Sequence, residues 1–311
     1  MLLKVERDIV EEEYREMGGF FSMKEHCTII HGVILILILA GCSRSTDSYV
    51  SQLGSMNPLL RQVAEDSLLA RKGDPKTVRK VARLLNSRKK ASTLAAVHLL
   101  GEMRDTTAVE PLAREIRNPD YTIRLSVVIS LGKIGGPSAA AAVVRAFDDT
   151  SKAVRQEAVN ALGEIRSRAE LSQVERMLRD PAAGVRASAY HALSRYKDVP
   201  GAGVKAADFT AAARDSFDVV RYVAVQALGW GWPDSTVAAD LLIGALDDRT
   251  VMVRLEAIRS LEMIRCTAAV PRFKKIRKSV TIEEQQAISR AIKTITGEVY
   301  PRKRAGSRSS R

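Results

Sequence analysis

The chain has few aromatic residues and lacks the residue patterns of most catalytic and metal sites. Phe, Trp and Tyr make up 5% of its 311 residues. Alternation of apolar and polar residues typical of strands is absent, which argues against a sandwich or barrel. The sequence has no His-Glu-His spacing, no pair of neighbouring cysteines, no Gly-x-Ser-x-Gly motif and no glycine-rich phosphate loop. These absences predict a protein that is not an enzyme and that holds no cofactor or metal.

A recurring sequence phrase is the main feature that is present. In one copy, Val154-Arg155 is followed by Ala158 and then by Leu162-Gly163. The leucine that closes the phrase recurs at Leu100, Leu131, Leu162, Leu193, Leu228 and Leu261. A repeat of this length indicates stacked units of two helices, each too small to bury its apolar face alone.

Each position of the phrase has a predicted role. Val154, Ala158 and Leu162 lie four residues apart and form one face of a first helix. The glycine after the leucine, as in Gly163, is predicted to end or loosen that helix. Six residues before the arginine stands an acid or amide, as Asp149 stands before Arg155. The acid and arginine columns are predicted to form a structural ladder of caps and charge-assisted hydrogen bonds between neighbouring units.

The pattern of Asp, Val-Arg and Ala-Leu-Gly resembles HEAT repeats, in the short bacterial form also seen in phycobilisome-lyase-like proteins. The resemblance covers about residues 57–296 and implies an all-α solenoid of about seven two-helix units plus a capping helix at 282–296. Such solenoids are mostly binding scaffolds.

An apolar run near the amino terminus predicts an export signal. Residues 29–40 are almost entirely apolar, a length that fits a secretory signal peptide and is too short to cross a bilayer. The run closes with Leu39-Ala40-Gly41-Cys42, which resembles the lipobox of bacterial lipoproteins. That resemblance implies lipidation of Cys42, removal of the preceding peptide and a location in the cell envelope. Ser43 in place of Asp then favours the periplasmic face of the outer membrane in a Gram-negative host.

The segments around this signal complete the predicted organisation. Residues 1–22 carry acids where a lipoprotein signal begins with basic residues, so they are expected to be an untranslated or extra leader before a signal peptide at 23–41. Residues 42–56 are polar and are predicted to be a lipidated tether. Residues 297–311 are basic and are predicted to be a disordered tail.

The charge predicts acidic partners. Without residues 1–41 the chain holds 45 Lys and Arg against 29 Asp and Glu. On the second helix, ten residues before the arginine position of the phrase (Thr93, Arg124, Arg155 and Arg186), the sequence has Arg83, Arg114, Arg145 and Arg176. In the HEAT fold second helices line the concave side, so these arginines are predicted to form a basic row there, with Arg117 and Arg179 able to widen it. Guanidinium groups suit carboxylates and phosphates through bidentate geometry.

Three further residues have predicted structural roles. Trp232 is expected to fill a core pocket, and Trp230 is expected to lie at a solvent-exposed turn. Cys266 has no predicted partner cysteine and is expected to be a small packed residue.

The sequence therefore favours a lipid-anchored envelope scaffold that binds a protein or an anionic polymer and is not catalytic. Two alternatives stay open. One is a HEAT-fold enzyme of the lyase-like type. The other is a HEAT-fold nucleic-acid-binding protein, if the signal peptide is absent. A nucleic acid or a small-molecule substrate is not the expected partner of an exported scaffold.

Overall fold

The structure is a computed structural model that describes residues 45–232 and 234–297. The predicted leader, signal peptide and lipidated Cys42 lie outside these residues, as does the predicted tail at 297–311 apart from Gly297. The chain divides into two compact units, residues 1–68 and residues 69–311. Within the described part of the chain, no helix combines the length and apolar character needed to span a bilayer.

The described part of the first unit contains helix α1 (Thr46–Gln52) and the start of helix α2 (Pro58–Leu69). The sequence predicts a polar tether here, and in the structure part of this segment is helical. The Ser45 hydroxyl accepts a hydrogen bond from the Ser48 N–H and caps α1, while Tyr49 and Leu53, one helical turn apart, are buried. A capped helix with an apolar face therefore replaces part of the predicted linker.

The second unit is a stack of helices, as predicted. Its α-helices in chain order are α3 (Pro75–Ala82), α4 (Lys90–Met103), α5 (Val109–Arg114), α6 (Tyr121–Ile134), α7 (Gly136–Val144), α8 (Lys152–Ile165), α9 (Leu171–Met177), α10 (Ala183–Ser194), α11 (Asp218–Leu228), α12 (Ser235–Gly244), α13 (Val251–Met263), α14 (Val270–Ile276) and α15 (Ile282–Thr296).

The helices form two layers. The first helices of the units, α4, α6, α8, α10, α11, α13 and α15, each pack on the next in that order. The second helices form the other layer, in which α5 packs on α7, and short 3₁₀ turns connect the remaining members. The repeating leucines of the first helices are at most 1% exposed, so each is buried between neighbouring units as the periodicity predicts.

One unit departs from the pattern. Between α10 and α11 the second helix is reduced to two 3₁₀ turns, Ala206–Phe209 and Ala212–Arg214. The aromatic ring of Phe209 fills this region, with its centroid 5.7 Å from that of Tyr190 and 5.1 Å from that of Trp232. Trp232 is 6% exposed and donates its indole N–H to the Ala227 carbonyl at 2.9 Å. Burial of Trp232 is thus confirmed.

At three of its four positions the repeating glycine does not end the first helix, which corrects the prediction there, whereas Gly229 caps the end of α11 as predicted. Gly101, Gly132 and Gly163 lie inside α4, α6 and α8. A Cβ added to Gly163 would lie 2.9 Å from both the Cα and the Cβ of Ala192 on the next first helix, and one added to Gly101 would lie 2.9 Å from the Ser130 Cα. The glycine is therefore required by the close approach of neighbouring helices.

These first helices end two residues beyond the glycines, and the next residue has a positive φ. The chain there adopts the left-handed conformation at Arg104 (φ 53°), Gly135 (φ 71°) and Arg166 (φ 53°). Two of these positions are arginines, so the sequence lacks the glycine that normally marks such an end.

Candidate functional site

The arginines of the repeated phrase form a largely buried ladder between units. Arg155 donates from Nε to Asp180 Oδ2 at 2.8 Å and from Nη2 to Asp180 Oδ1 at 3.0 Å. Its third nitrogen, Nη1, donates to the Asp149 carbonyl at 2.8 Å. Each rung thus joins two successive inter-unit loops through one guanidinium group. The same arrangement links Arg124 to Asp149, Arg186 to Asp215 and Arg221 to Asp248.

The ladder changes at its two ends in a consistent way. At the carboxyl end Arg254 binds Glu284 of the capping helix, whose carboxylate also accepts from Thr281 in a capping box. At the amino end Thr93 occupies the arginine position and donates to the Ser87 carbonyl, six residues earlier. The position of the acid that an arginine there would bind is occupied by Asn118. Both members of this rung are therefore uncharged.

The ladder carboxylates have lowered pKa values. For Asp215 the hydrogen bonds from Arg186 outweigh burial, and the Phe217 N–H also lowers the pKa of the carboxyl. For Asp149, Asp180 and Asp248 burial alone would raise the pKa, but the guanidinium groups and backbone N–H groups together hold it below its usual value. These carboxylates are therefore ionised and paired, and the predicted structural role of the two columns is confirmed.

The predicted basic row lies on the second helices and is exposed. Arg114 closes α5, Arg176 lies in α9, Arg145 caps the end of α7, and Arg83 begins the 3₁₀ turn after α3. All four side chains are exposed, as are those of Arg117 and Arg179. Because α5 packs on α7 and α7 packs on the turn before α9, equivalent positions on successive units are neighbours.

Acidic side chains interleave with this row. Arg114 Nε lies 3.4 Å from Glu110 Oε1 on the same helix, and Arg176 Nη1 lies 3.0 Å from Asp148 Oδ1 on the preceding unit. Within the described residues Arg83 and Arg145 form no ion pair. The face is therefore a mixed-charge surface rather than a continuous basic strip, and its exposed pairs are weak and screened by salt.

The tryptophan turn is a second candidate contact. Trp230 is 38% exposed, and its ring contacts that of His191 edge-on with centroids 5.7 Å apart. Lys197 Nζ donates to the carbonyls of Trp230 and Gly231 at 2.6 and 3.0 Å, which fixes the turn. Cys266 is buried, as expected for a packed residue.

Exposed apolar side chains at the amino ends of the first helices were not predicted. Tyr121, Phe217, Met252 and Ile282 are each more than half exposed there. Phe217 lies beneath the Arg186 guanidinium at 5.6 Å and borders a shallow pocket that Lys152 and Gln156 also line. These exposed side chains have a signal in the sequence, an apolar residue at the start of a first helix or one residue to either side of it. Other units have Lys152 or Ala183 at the helix start.

The side chains in the described part of the chain form no group of three or more His, Cys, Asp or Glu that could hold a metal ion. The two histidines there, His98 and His191, lie on helices α4 and α10. His98 contacts Glu102 at 3.6 Å, and burial lowers the pKa of His191.

Solved structures with the same fold are known. X-ray coordinates of the Escherichia coli protein YibA match 90% of this chain and 99% of their own chain, with 17% identity and a TM-score of 0.56. The importin Kap95p, in a complex with RanGDP, matches 85% of this chain and 42% of its own, with 14% identity and a TM-score of 0.65. The complex of the phycocyanin lyase proteins CpcE and CpcF from Nostoc matches 82% of this chain and 96% of its own, with 17% identity and a TM-score of 0.42.

The curated proteins contain no sequence match to this chain. HEAT repeats match at residues 81–151, 115–194 and 206–293, which together span more than half of the chain. These segments contain the arginine ladder from Arg124 to Arg254 and the close-approach glycines described above. The chain therefore belongs to the HEAT-repeat family.

Proposed function

We propose that this protein is a non-catalytic scaffold, anchored by lipid in the bacterial cell envelope, that binds another protein through the exposed face of its second helices. The observation that carries the proposal is the division of labour among the arginines. Those of the ladder are largely buried and paired, whereas those of the second helices are exposed on successive, stacked units. A repeated surface of this kind suits an extended partner.

The kind of partner is argued from fold and charge. Two solved structures of this fold are of Kap95p bound to other proteins, RanGDP in one and Nup1 in the other. Arg83 and Arg145 offer guanidinium groups without a carboxylate partner in the described residues, and such groups bind carboxylates in bidentate geometry. An acidic protein therefore fits this face, and an anionic envelope polymer shares the same chemistry.

The envelope location is argued from Leu39-Ala40-Gly41-Cys42, which closes the apolar run at 29–40. Labelled fatty acid should enter the wild-type chain at Cys42 and should not enter the Cys42→Ala variant. A wild-type chain whose Cys42 is unmodified in cells would contradict the anchor.

The binding face is tested by photo-crosslinking in intact cells. A photoreactive residue placed at Arg145 should capture a protein partner, whereas one at Ile129, which is partly exposed on first helix α6, should not. Capture at both positions with equal yield would show that the second-helix face has no special role.

A charge comparison completes the test. Replacing Arg83, Arg114, Arg145 and Arg176 by serine should weaken capture and flatten its salt dependence while stability changes by less than about 0.5 kcal/mol per site. Unchanged capture by this variant would refute a binding role for the arginine row. A large loss of stability would show that these arginines serve folding instead.

A further inference from the structure

Positive charge is concentrated at the two ends of the helical stack. Residues 91–250 hold 19 Lys and Arg against 20 Asp and Glu, so the middle of the stack is nearly neutral. Residues 71–90 hold nine Lys and Arg against the single acid Asp74, and residues 265–278 hold six against none. The basic excess of the chain is therefore localised and does not follow the second-helix row along the stack.

The segment at 71–90 presents its charge to solvent. Val78, Val81 and Leu85 are buried, so the opposite side of α3 and the loop beyond it face outward. We name six of the seven exposed basic residues there the N-terminal basic cluster; the seventh, Lys90, pairs with Asp120 and is not included. The cluster consists of Lys72, Lys76, Arg79, Arg83, Arg88 and Lys89.

This cluster has little internal neutralisation. Within the described residues no ion pair joins its six side chains to an acid. Asp74 is engaged locally, because its carboxylate accepts from the N–H groups of Lys76 and Thr77 at 3.0 and 3.1 Å and caps α3. By contrast, Arg114 and Arg176 of the second-helix row have acidic neighbours, as does Arg272 near the other end of the stack.

The first unit supplies an independent observation. Met56, Leu59 and Leu60, at the start of α2, are 93%, 44% and 39% exposed. Apolar side chains of this size favour the boundary between lipid headgroups and acyl chains over water. In chain order, then, exposed apolar residues follow Cys42, and the basic cluster follows them. This order along the chain, with the proposed anchor first, favours a lipid surface over a nucleic acid or an acidic polymer.

We propose that the N-terminal basic cluster docks on anionic phospholipid headgroups and so holds the first turns of the stack against the membrane surface. The inference rests on the proposed lipid anchor for its setting, since an anchor at Cys42 places the amino-terminal end of the stack near the bilayer. Screening limits such attraction to charges within about 8 Å of the surface, which favours a dense local cluster over a long dispersed row. Each Lys or Arg near an anionic surface strengthens partitioning by about fivefold.

Vesicle binding of the full chain with Cys42→Ala tests docking separately from lipidation. Partitioning is measured on vesicles of phosphatidylcholine and on vesicles of equal parts phosphatidylcholine and phosphatidylglycerol. The apolar run at 29–40 is present in every variant, so the ratio of the two partition coefficients reports the charge-dependent part. We expect a clear preference for phosphatidylglycerol that falls steeply with salt.

Two matched variants locate the preference. The first variant should lose most of the phosphatidylglycerol preference, at about fivefold per residue close to the surface. It combines Lys72→Ser, Lys76→Ser, Arg79→Ser and Arg88→Ser. The second variant removes the same number of positive charges and should retain the phosphatidylglycerol preference. It combines Arg114→Ser, Arg117→Ser, Arg145→Ser and Arg179→Ser. Equal unfolding midpoints in urea establish that both variants are folded. If the first set does not fold, the single reversals Lys72→Glu and Lys89→Glu replace it.

The result that overturns the inference is an absent phosphatidylglycerol preference, or an equal loss of it in both variants. Equally tight binding to single-stranded DNA, lost with the same cluster, would also overturn it by showing a general polyanion site. Lipidation is scored independently from the mass of the Cys42 peptide in the wild type. An unmodified Cys42 refutes the lipid anchor. The vesicle result still decides separately whether the cluster binds anionic phospholipid.

Discussion

Replacing Gly163 by alanine should destabilise the protein, although alanine is the better helix former. In an isolated helix this change would stabilise by about 1 kcal/mol. Here the new Cβ would lie 2.9 Å from both the Cα and the Cβ of Ala192, so helices α8 and α10 would have to separate. Overpacking of this kind costs about 1–3 kcal/mol and occasionally more. Because the contact includes backbone, we expect a net loss of about 1–2 kcal/mol.

Two other glycines supply graded controls. A Cβ at Gly244, at the end of α12, meets nothing within 4 Å, so Gly244→Ala should stabilise by up to about 1 kcal/mol. A Cβ at Gly132 would lie 3.0 Å from the Ala161 Cβ and 3.6 Å from its Cα, so Gly132→Ala should fall between the two. The effect of Gly→Ala on the free energy of unfolding is thus expected to change sign with the distance to the neighbouring helix.

Urea unfolding followed by far-ultraviolet circular dichroism measures all three variants. Fluorescence of Trp230 and Trp232 provides a second probe within the stack. The close-approach argument fails if Gly163→Ala stabilises as much as Gly244→Ala. It also fails if Gly132→Ala is the most destabilised of the three.

Three further outcomes are expected. Arg155→Ala should lower the free energy of unfolding by about 3 kcal/mol, because it leaves the buried Asp180 carboxylate without its charged partner. The control Arg145→Ala should change it by less than about 0.5 kcal/mol. Equal effects of the two variants in urea unfolding would contradict a structural role for the ladder. The protein should lose stability as the pH falls below about 5, because the ladder carboxylates have lowered pKa values in the folded state. Their ionised forms stabilise the folded state fully only above the unfolded pKa of about 3.9. Unfolding midpoints that stay constant from pH 6 to about pH 3 would be inconsistent with this linkage. Leu162→Ala should cost about 2–5 kcal/mol, since the side chain is fully buried between units, and a midpoint within error of the wild type would show that the assignment of the helix face is wrong.

Local periodicity accounts for the features that were predicted correctly. A leucine every 31 residues between Leu100 and Leu193 identifies a repeated apolar face, and its burial follows from any stacking of equal units. The acid six residues before each arginine also recurs in register, so a ladder such as Arg155 with Asp180 is expected from the sequence. Even its break is visible there, because Thr93 and Asn118 replace the arginine and the acid of the same rung.

Features that depend on distances between helices were not predicted. The role of Gly163 became clear only when Ala192, 29 residues later, was placed against it, since glycine in a sequence equally signals a helix end. The partial neutralisation of the basic row belongs to the same class, because Asp148 and Arg176 meet across two units. The helix within the predicted tether was not predicted for a related reason, because it depends on the cap at Ser45 and the burial of Tyr49 and not on the polar composition.

The sequence alone therefore determined the family, the helical repeat, the buried leucines and the ladder formed by the acid and arginine columns, because each is a property that recurs at a fixed spacing. Only the tertiary structure decided how closely the first helices approach, where α10 is followed by 3₁₀ turns instead of a helix, and which basic side chains remain unneutralised. Those outcomes depend on the packing of side chains such as Phe209 and Trp232 across units, and local spacing does not encode such contacts.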